Sequence, residues 1–213
     1  MLILLTIFVS SFVIALSGAM MPGTLLTVTI SESSRRGFIV GPLLIFGHGL
    51  LELTLIIALL LGLAPLFRQE WFFIVISLAG GSILLWMAVG MFRSLPALSL
   101  SLDAEQSNRS NLVLTGALMS VANPYWIIWW ATIGLGYILH SRQYGLWGLL
   151  FFFSGHLLAD LAWYTLISTA VGKGRTFFSD RIYRGIIGTC ATFLVLFACY
   201  LLYNLVYTIT ARV

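Results

Sequence analysis

The sequence predicts an all-α membrane protein of six transmembrane helices, built as two inverted three-helix repeats. Three observations predict it. Sixty per cent of the 213 residues are apolar and only 8% are charged, whereas a soluble domain needs about a quarter charged to dress its surface. The apolar residues gather into runs of roughly 20 or more, the length that crosses a hydrocarbon core. And the sparse polar residues recur in the same order in the two halves.

The runs fall at about 3–30, 38–64, 71–92, 112–139, 146–171 and 183–209. They leave no room for a soluble catalytic domain, and the chain reads as one transporter-like domain. Repeat one is expected over about 1–93, a connector over about 94–111 and repeat two over about 112–213. Ser17-Gly18-Ala19 resembles a cleavage site, but no basic segment precedes it and the apolar pattern continues to Ile30, so the first run reads as a retained helix. Asp103, Glu105 and Asn108 fall in the polar connector, which reads as solvated and flexible. Cys190 and Cys199 lie on one helix about 13 Å apart along its axis, too far to bond each other.

The net charge of +4 sets topology rather than recruiting nucleic acid. Arg35, Arg36, Arg93, Arg109, Lys173, Arg175, Arg181 and Arg184 fall on one side. Arg68, Arg142 and Arg212 fall on the other. The positive-inside rule then puts both termini outside.

Helix 1 carries Ser17-Gly18-Ala19-Met20-Met21-Pro22-Gly23, and helix 4 carries Thr115-Gly116-Ala117-Leu118-Met119 before Asn123-Pro124. Helix 2 carries Gly47-His48 and then Glu52; helix 5 carries Gly155-His156 and then Asp160. Helices 3 and 6 open with glycines, Gly80 and Gly81 in one, Gly185 and Gly188 in the other. A repeat with an odd number of spans inserts its second copy upside down, a plan recurrent in secondary transporters, with the substrate at the repeat interface.

Pro22-Gly23 and Asn123-Pro124 are expected to interrupt helices 1 and 4, because proline lacks the amide proton and clashes with the preceding turn. Backbone freed there is tolerable only against protein or a water-filled cavity, and helix ends can hold a carboxylate or a cation. A packing kink is the plainer alternative. Glu52 and Asp160 fall near mid-membrane, where an acid costs about 2.5–3.5 kcal/mol on insertion scales. Each has a histidine four residues earlier, His48 and His156, on the same helical face. Pro22, Gly23, Thr24, Glu52, Asn123, Pro124, Tyr125 and Asp160 are the candidate substrate contacts. Glu52 and Asp160, with His48 and His156, are the candidate proton-coupling groups; a static polar clamp is the alternative. Trp126, Trp129 and Trp130 read as lipid-facing or interfacial packing, with Trp163 and Tyr164 as weaker site candidates. Gly37, Gly41, Gly47 and Gly49 read as close-approach positions between helices.

These residues resemble the LysE/RhtB family of amino-acid exporters. The family's glycine, Pro-Gly-Pro and spaced glycines read here as Gly18, Pro22-Gly23-Thr24, Gly37, Gly41 and Gly47. Its helix 4 Asn-Pro is Asn123-Pro124, and its helix 5 acid and aromatic fit Asp160 and Trp163. Its helix 2 acid fits Glu52, although Leu51-Glu52 stands where Gly-Asp is commoner. Thr24 replaces the second proline, which implies a softer break and altered selectivity. The resemblance implies export of amino acids or related metabolites across a bacterial-type inner (plasma) membrane, driven by the proton gradient. The partners are then a small-molecule substrate, protons and the lipid bilayer; a homo-oligomer stays open, and no cofactor is called for. The rival reading is a divalent metal-ion exporter, since two imidazoles and two carboxylates suit a transition metal. A membrane-embedded enzyme is a weaker rival, because no nucleophile stands beside a base.

Overall fold

A computed structural model describes residues 1–21, 23–66, 69–97, 111–174 and 180–210, and among these every regular element is helical. In chain order they are α1 (Leu2–Ala19), α2 (Thr24–Arg36), α3 (Val40–Ala58), α4 (Glu70–Ser94), α5 (Leu112–Val121), α6 (Pro124–Trp129), α7 (Leu135–Arg142), α8 (Gly145–Lys173) and α9 (Asp180–Thr210). A turn at Leu59–Leu63, kinked where Gly62 takes φ 129°, follows α3, and a π-helical turn, Trp130–Gly134, joins α6 to α7.

Among the described residues, five helices are long and apolar enough to cross a membrane: Leu2–Ala19, Val40–Leu63, Glu70–Ala97, Gly145–Lys173 and Asp180–Tyr207. The pair Leu112–Val121 and Tyr125–Arg142, bent by 68°, makes a sixth when counted as one span. The outer surface agrees with a lipid environment. Leu61, Trp86, Leu196 and Tyr203 are each more than 60% exposed, an apolar display that a water-soluble monomer does not carry.

The first and fourth apolar runs are not single helices. α1 stops at Ala19, and α2 starts at Thr24 and runs on to Arg36, past the end expected at Ile30. Pro22 lies outside the described residues, as does most of the connector; its start is still helical, with α4 reaching Ser94 and a 3-10 turn at Leu95–Ala97. On the other break, Asn123 caps α6 by accepting the Tyr125 N–H at 3.1 Å. Pro124 takes the first helical position, where its missing N–H costs nothing.

Packing is reciprocal. α1 lies along α8, α3 lies along α5 and α8, and α4 pairs with α9. Glycines permit the closest approaches: a Cβ on Gly47 would overlap the Val113 carbonyl, and one on Gly116 would overlap that of Leu44. On the other pair, a Cβ on Gly155 would overlap the Phe8 carbonyl and the Ser11 hydroxyl, and Ser11 donates to the Phe152 carbonyl at 3.0 Å. Leu44 and Gly47 thus stand to α5 as Phe152 and Gly155 stand to α1. Gly116 meets the Leu44 carbonyl as Ser11 meets that of Phe152.

Two apolar layers flank the middle of α3 and α8. One gathers Leu44, Ile45, Leu112 and Tyr164; the other gathers Ile56, Trp129, Trp130 and Phe152. Between them lie the only acids of these two spans.

Candidate functional site

Four side chains meet between those layers: His48 and Glu52 from α3, His156 and Asp160 from α8. The helical spacing that stacks each histidine one turn from its acid becomes a cross-helix cluster because α3 and α8 touch here. His48 Nε2 lies 2.9 Å from Glu52 Oε1 and 3.6 Å from Asp160 Oδ2. His156 Nε2 lies 3.1 Å and 3.4 Å from the same two oxygens. Glu52 is 1% exposed and Asp160 4%, so neither can be satisfied by bulk water.

Neighbouring helices complete the cluster. The indole N–H groups of Trp126 and Trp130 both donate to Glu52 Oε1, at 3.2 and 3.0 Å. The Ser120 hydroxyl donates to the Gly116 carbonyl at 2.7 Å, and its oxygen sits 2.6 Å from His48 Nδ1. With its hydrogen spent, Ser120 accepts from His48 Nδ1–H, which assigns the tautomer. His156 is walled by the rings of Trp129 and Trp130, at centroid distances of 4.8 and 5.4 Å. Glu52 Oε2, Asp160 Oδ2 and His156 Nδ1 are buried with no hydrogen-bond partner.

A cavity of about 60 Å³ opens between this cluster and the helix breaks, room for several waters or a small solute. His48, Glu52, His156 and Asp160 line it, with Gly23, Asn123 and Tyr125 from the breaks. The two breaks adjoin each other, since a Cβ on Gly23 would lie 3.2 Å from Asn123 Nδ2. α2 begins at Gly23 with no side-chain cap, whereas the Tyr125 amide of α6 is already taken by Asn123.

Of the residues singled out in the sequence, Thr24 stands apart from this cavity. Its hydroxyl donates to the Met119 carbonyl at 3.1 Å, tying α2 to α5, and it lines a separate, lateral cavity with Arg93 and Met119. Pro124 contributes the backbone turn, and Pro22 is not among the described residues. Tyr164 is buried and lines the central cavity, while Trp163 packs into the neighbouring apolar layer.

The tryptophans correct the expectation of lipid-facing packing. Trp130 is fully buried and Trp129 6% exposed; both line the cavity with Trp126. The signal available was the four-residue spacing of Trp126 and Trp130, which puts both indoles on the face that follows Asn123-Pro124. The π turn that starts at Trp130 is a second such mark, as π turns gather at functional sites. Ser120 carried no signal in the sequence, since its role depends on which helix faces α3.

No curated protein and no solved structure matches the chain. The family comparison is positive over residues 16–205, with the LysE type translocator family. That span holds both breaks, all four clustered side chains and the tryptophans around them. This multi-pass, apolar chain with a buried ionisable site belongs to the LysE type translocator family and is a membrane transporter.

Proposed function

We propose that the chain exports amino acids or related small metabolites across the plasma (inner) membrane in exchange for protons. One observation carries this reading: two buried carboxylates with unpartnered oxygens face a small cavity bounded by two helix breaks. A solute ammonium needs acceptors, and Glu52 Oε2 and Asp160 Oδ2 are buried carboxylate oxygens with no hydrogen bond of their own. The electron-rich faces of Trp129 and Trp130 suit a positive charge in the same place. The solute carboxylate belongs at the break, where the uncapped start of α2 at Gly23 offers amide donors. Tyr125 closes that end of the cavity.

In this mechanism a proton arriving from outside displaces the ammonium from Glu52 or Asp160 and resets the carrier. His48 and His156 hand the proton between the two acids, since each Nε2 lies within 3.6 Å of both. The apolar layers on either side of the cluster support an occluded state. Alternation would come from rocking of two inverted repeats, which the reciprocal packing of α1 on α8 and α3 on α5 supports. Eight of the eleven basic residues lie on the side read as cytoplasmic, so both termini would be outside.

Liposomes loaded with a mixed pool of amino acids and metabolites test the proposal. Imposing a proton gradient should release a subset of amino-acid-like solutes. Release of none, or release indifferent to the gradient, would contradict it.

A further inference from the structure

Around the point where α3 and α8 meet, the spacing of four ligating atoms has a specific meaning. The four histidine-to-carboxylate separations are 2.9, 3.1, 3.4 and 3.6 Å. An ion held tetrahedrally at zinc–nitrogen and zinc–oxygen distances has ligand–ligand edges of about 3.3 Å. Four of the six edges of such a site straddle that value, and the other two, between the histidines and between the carboxylates, are no longer than 4.8 Å.

Ser120 holds His48 through Nδ1–H, so Nε2 is the ring nitrogen turned toward Glu52 Oε1, 2.9 Å away. An independent observation is that Glu52 Oε2 is buried with no hydrogen-bond partner, and that Asp160 Oδ2 has only the two imidazole nitrogens at 3.4 and 3.6 Å.

We propose that His48, Glu52, His156 and Asp160 form a binding site for one divalent transition-metal ion of the zinc type. Both Nε2 atoms and one oxygen of each carboxylate are the ligands. Mixed imidazole and carboxylate donors suit zinc, cobalt or nickel, whereas magnesium and calcium favour oxygen alone. Two carboxylates neutralise the ion, which keeps the low-dielectric interior free of net charge. Ser120 on His48 and the two indoles on Glu52 are the outer partners that hold such ligands in register. The ion would stand where the proposed solute ammonium stands, so the two exclude each other. The proposal concerns binding and does not depend on which solute is exported.

The test uses the purified full chain, stripped with a chelator and titrated with Zn²⁺ by calorimetry and with Co²⁺ by absorption. One ion should bind per chain, and cobalt should give the intense visible bands of a four-coordinate site. His48→Ala, His156→Ala and Asp160→Asn should each weaken binding at least tenfold. Glu52→Gln keeps the side-chain shape and serves if an alanine variant fails to elute as a folded helical protein. His140, exposed at the end of α7 with its ring edge-on to that of Tyr144, is the control: His140→Ala should bind as the parent does. No saturable binding, or binding that survives the four cluster variants and is lost in His140→Ala, would overturn the proposal. Gradient-driven amino-acid efflux from a chain that binds no metal would overturn this inference alone, and metal binding without such efflux would overturn the amino-acid reading alone.

Discussion

Trp130 donates its indole N–H to Glu52 Oε1 at 3.0 Å, and neither side chain is more than 1% exposed. The bond joins the bent fourth span to the middle of α3. A buried acid at mid-membrane costs about 2.5–3.5 kcal/mol unless partners offset it, and a hydrogen bond to a charged group contributes about 1.5–3 kcal/mol. Trp130→Phe keeps the ring and removes the donor. It should lower apparent solute affinity by roughly tenfold, with Trp126 still holding the carboxylate. Substrate counterflow in liposomes measures this, and an unchanged affinity would show that the indole only packs.

Close helix contacts give a prediction about folding. A Cβ on Gly47 would overlap the Val113 backbone, and one on Gly116 the Leu44 backbone. A clash with backbone forces the helices apart, at a cost on the order of 1–3 kcal/mol or more. Gly47→Ala and Gly116→Ala should therefore sharply reduce the yield of folded protein on size exclusion. Gly90→Ala and Gly136→Ala meet nothing within 4 Å and should elute as the parent does. Equal yields across all four would contradict the packing of α3 on α5.

Much of this was legible before any coordinates. The spans were readable because a run of apolar residues has few other solvents than lipid. His48 with Glu52, and His156 with Asp160, were readable because four residues make about one helical turn. What sequence spacing does not contain is which helix faces which. That α3 meets α8 at the histidines decides whether four polar residues make one site or two clamps. The same gap hid Ser120, whose partner lies across a helix boundary, and misread Trp130, since an indole in a membrane span is commonly interfacial. Nor does the sequence show that the Thr24 hydroxyl bonds a carbonyl of α5.

The break in the fourth span should matter for transport more than for stability. Asn123→Ala removes the cap on Tyr125 N–H, a loss of about 0.5–2 kcal/mol. Pro124→Ala, and Pro22→Ala in the first span, restore a backbone donor and relax the constraint on the preceding turn. All three variants should insert and fold while export falls severalfold in liposome assays. Parent-level export in all three would make the breaks packing features.

Orientation is checked separately. With eight of eleven basic residues on one side, a reporter active only in the cytoplasm and fused after Val213 should stay silent. Strong signal from that fusion would reverse the sense of the chain without altering the cluster.

In the proposed mechanism, protons and solute compete for the carboxylates of Glu52 and Asp160. Glu52→Gln and Asp160→Asn keep shape and hydrogen-bonding capacity but remove the titratable proton and the charge. Neither should unfold the protein, since each removes a charge that is costly at mid-membrane. The direct measurement is solute efflux from liposomes containing the double variant, with and without an imposed proton gradient. The account predicts that gradient-driven efflux disappears while the protein still elutes as a folded species. Full gradient-driven efflux by the double variant would contradict it.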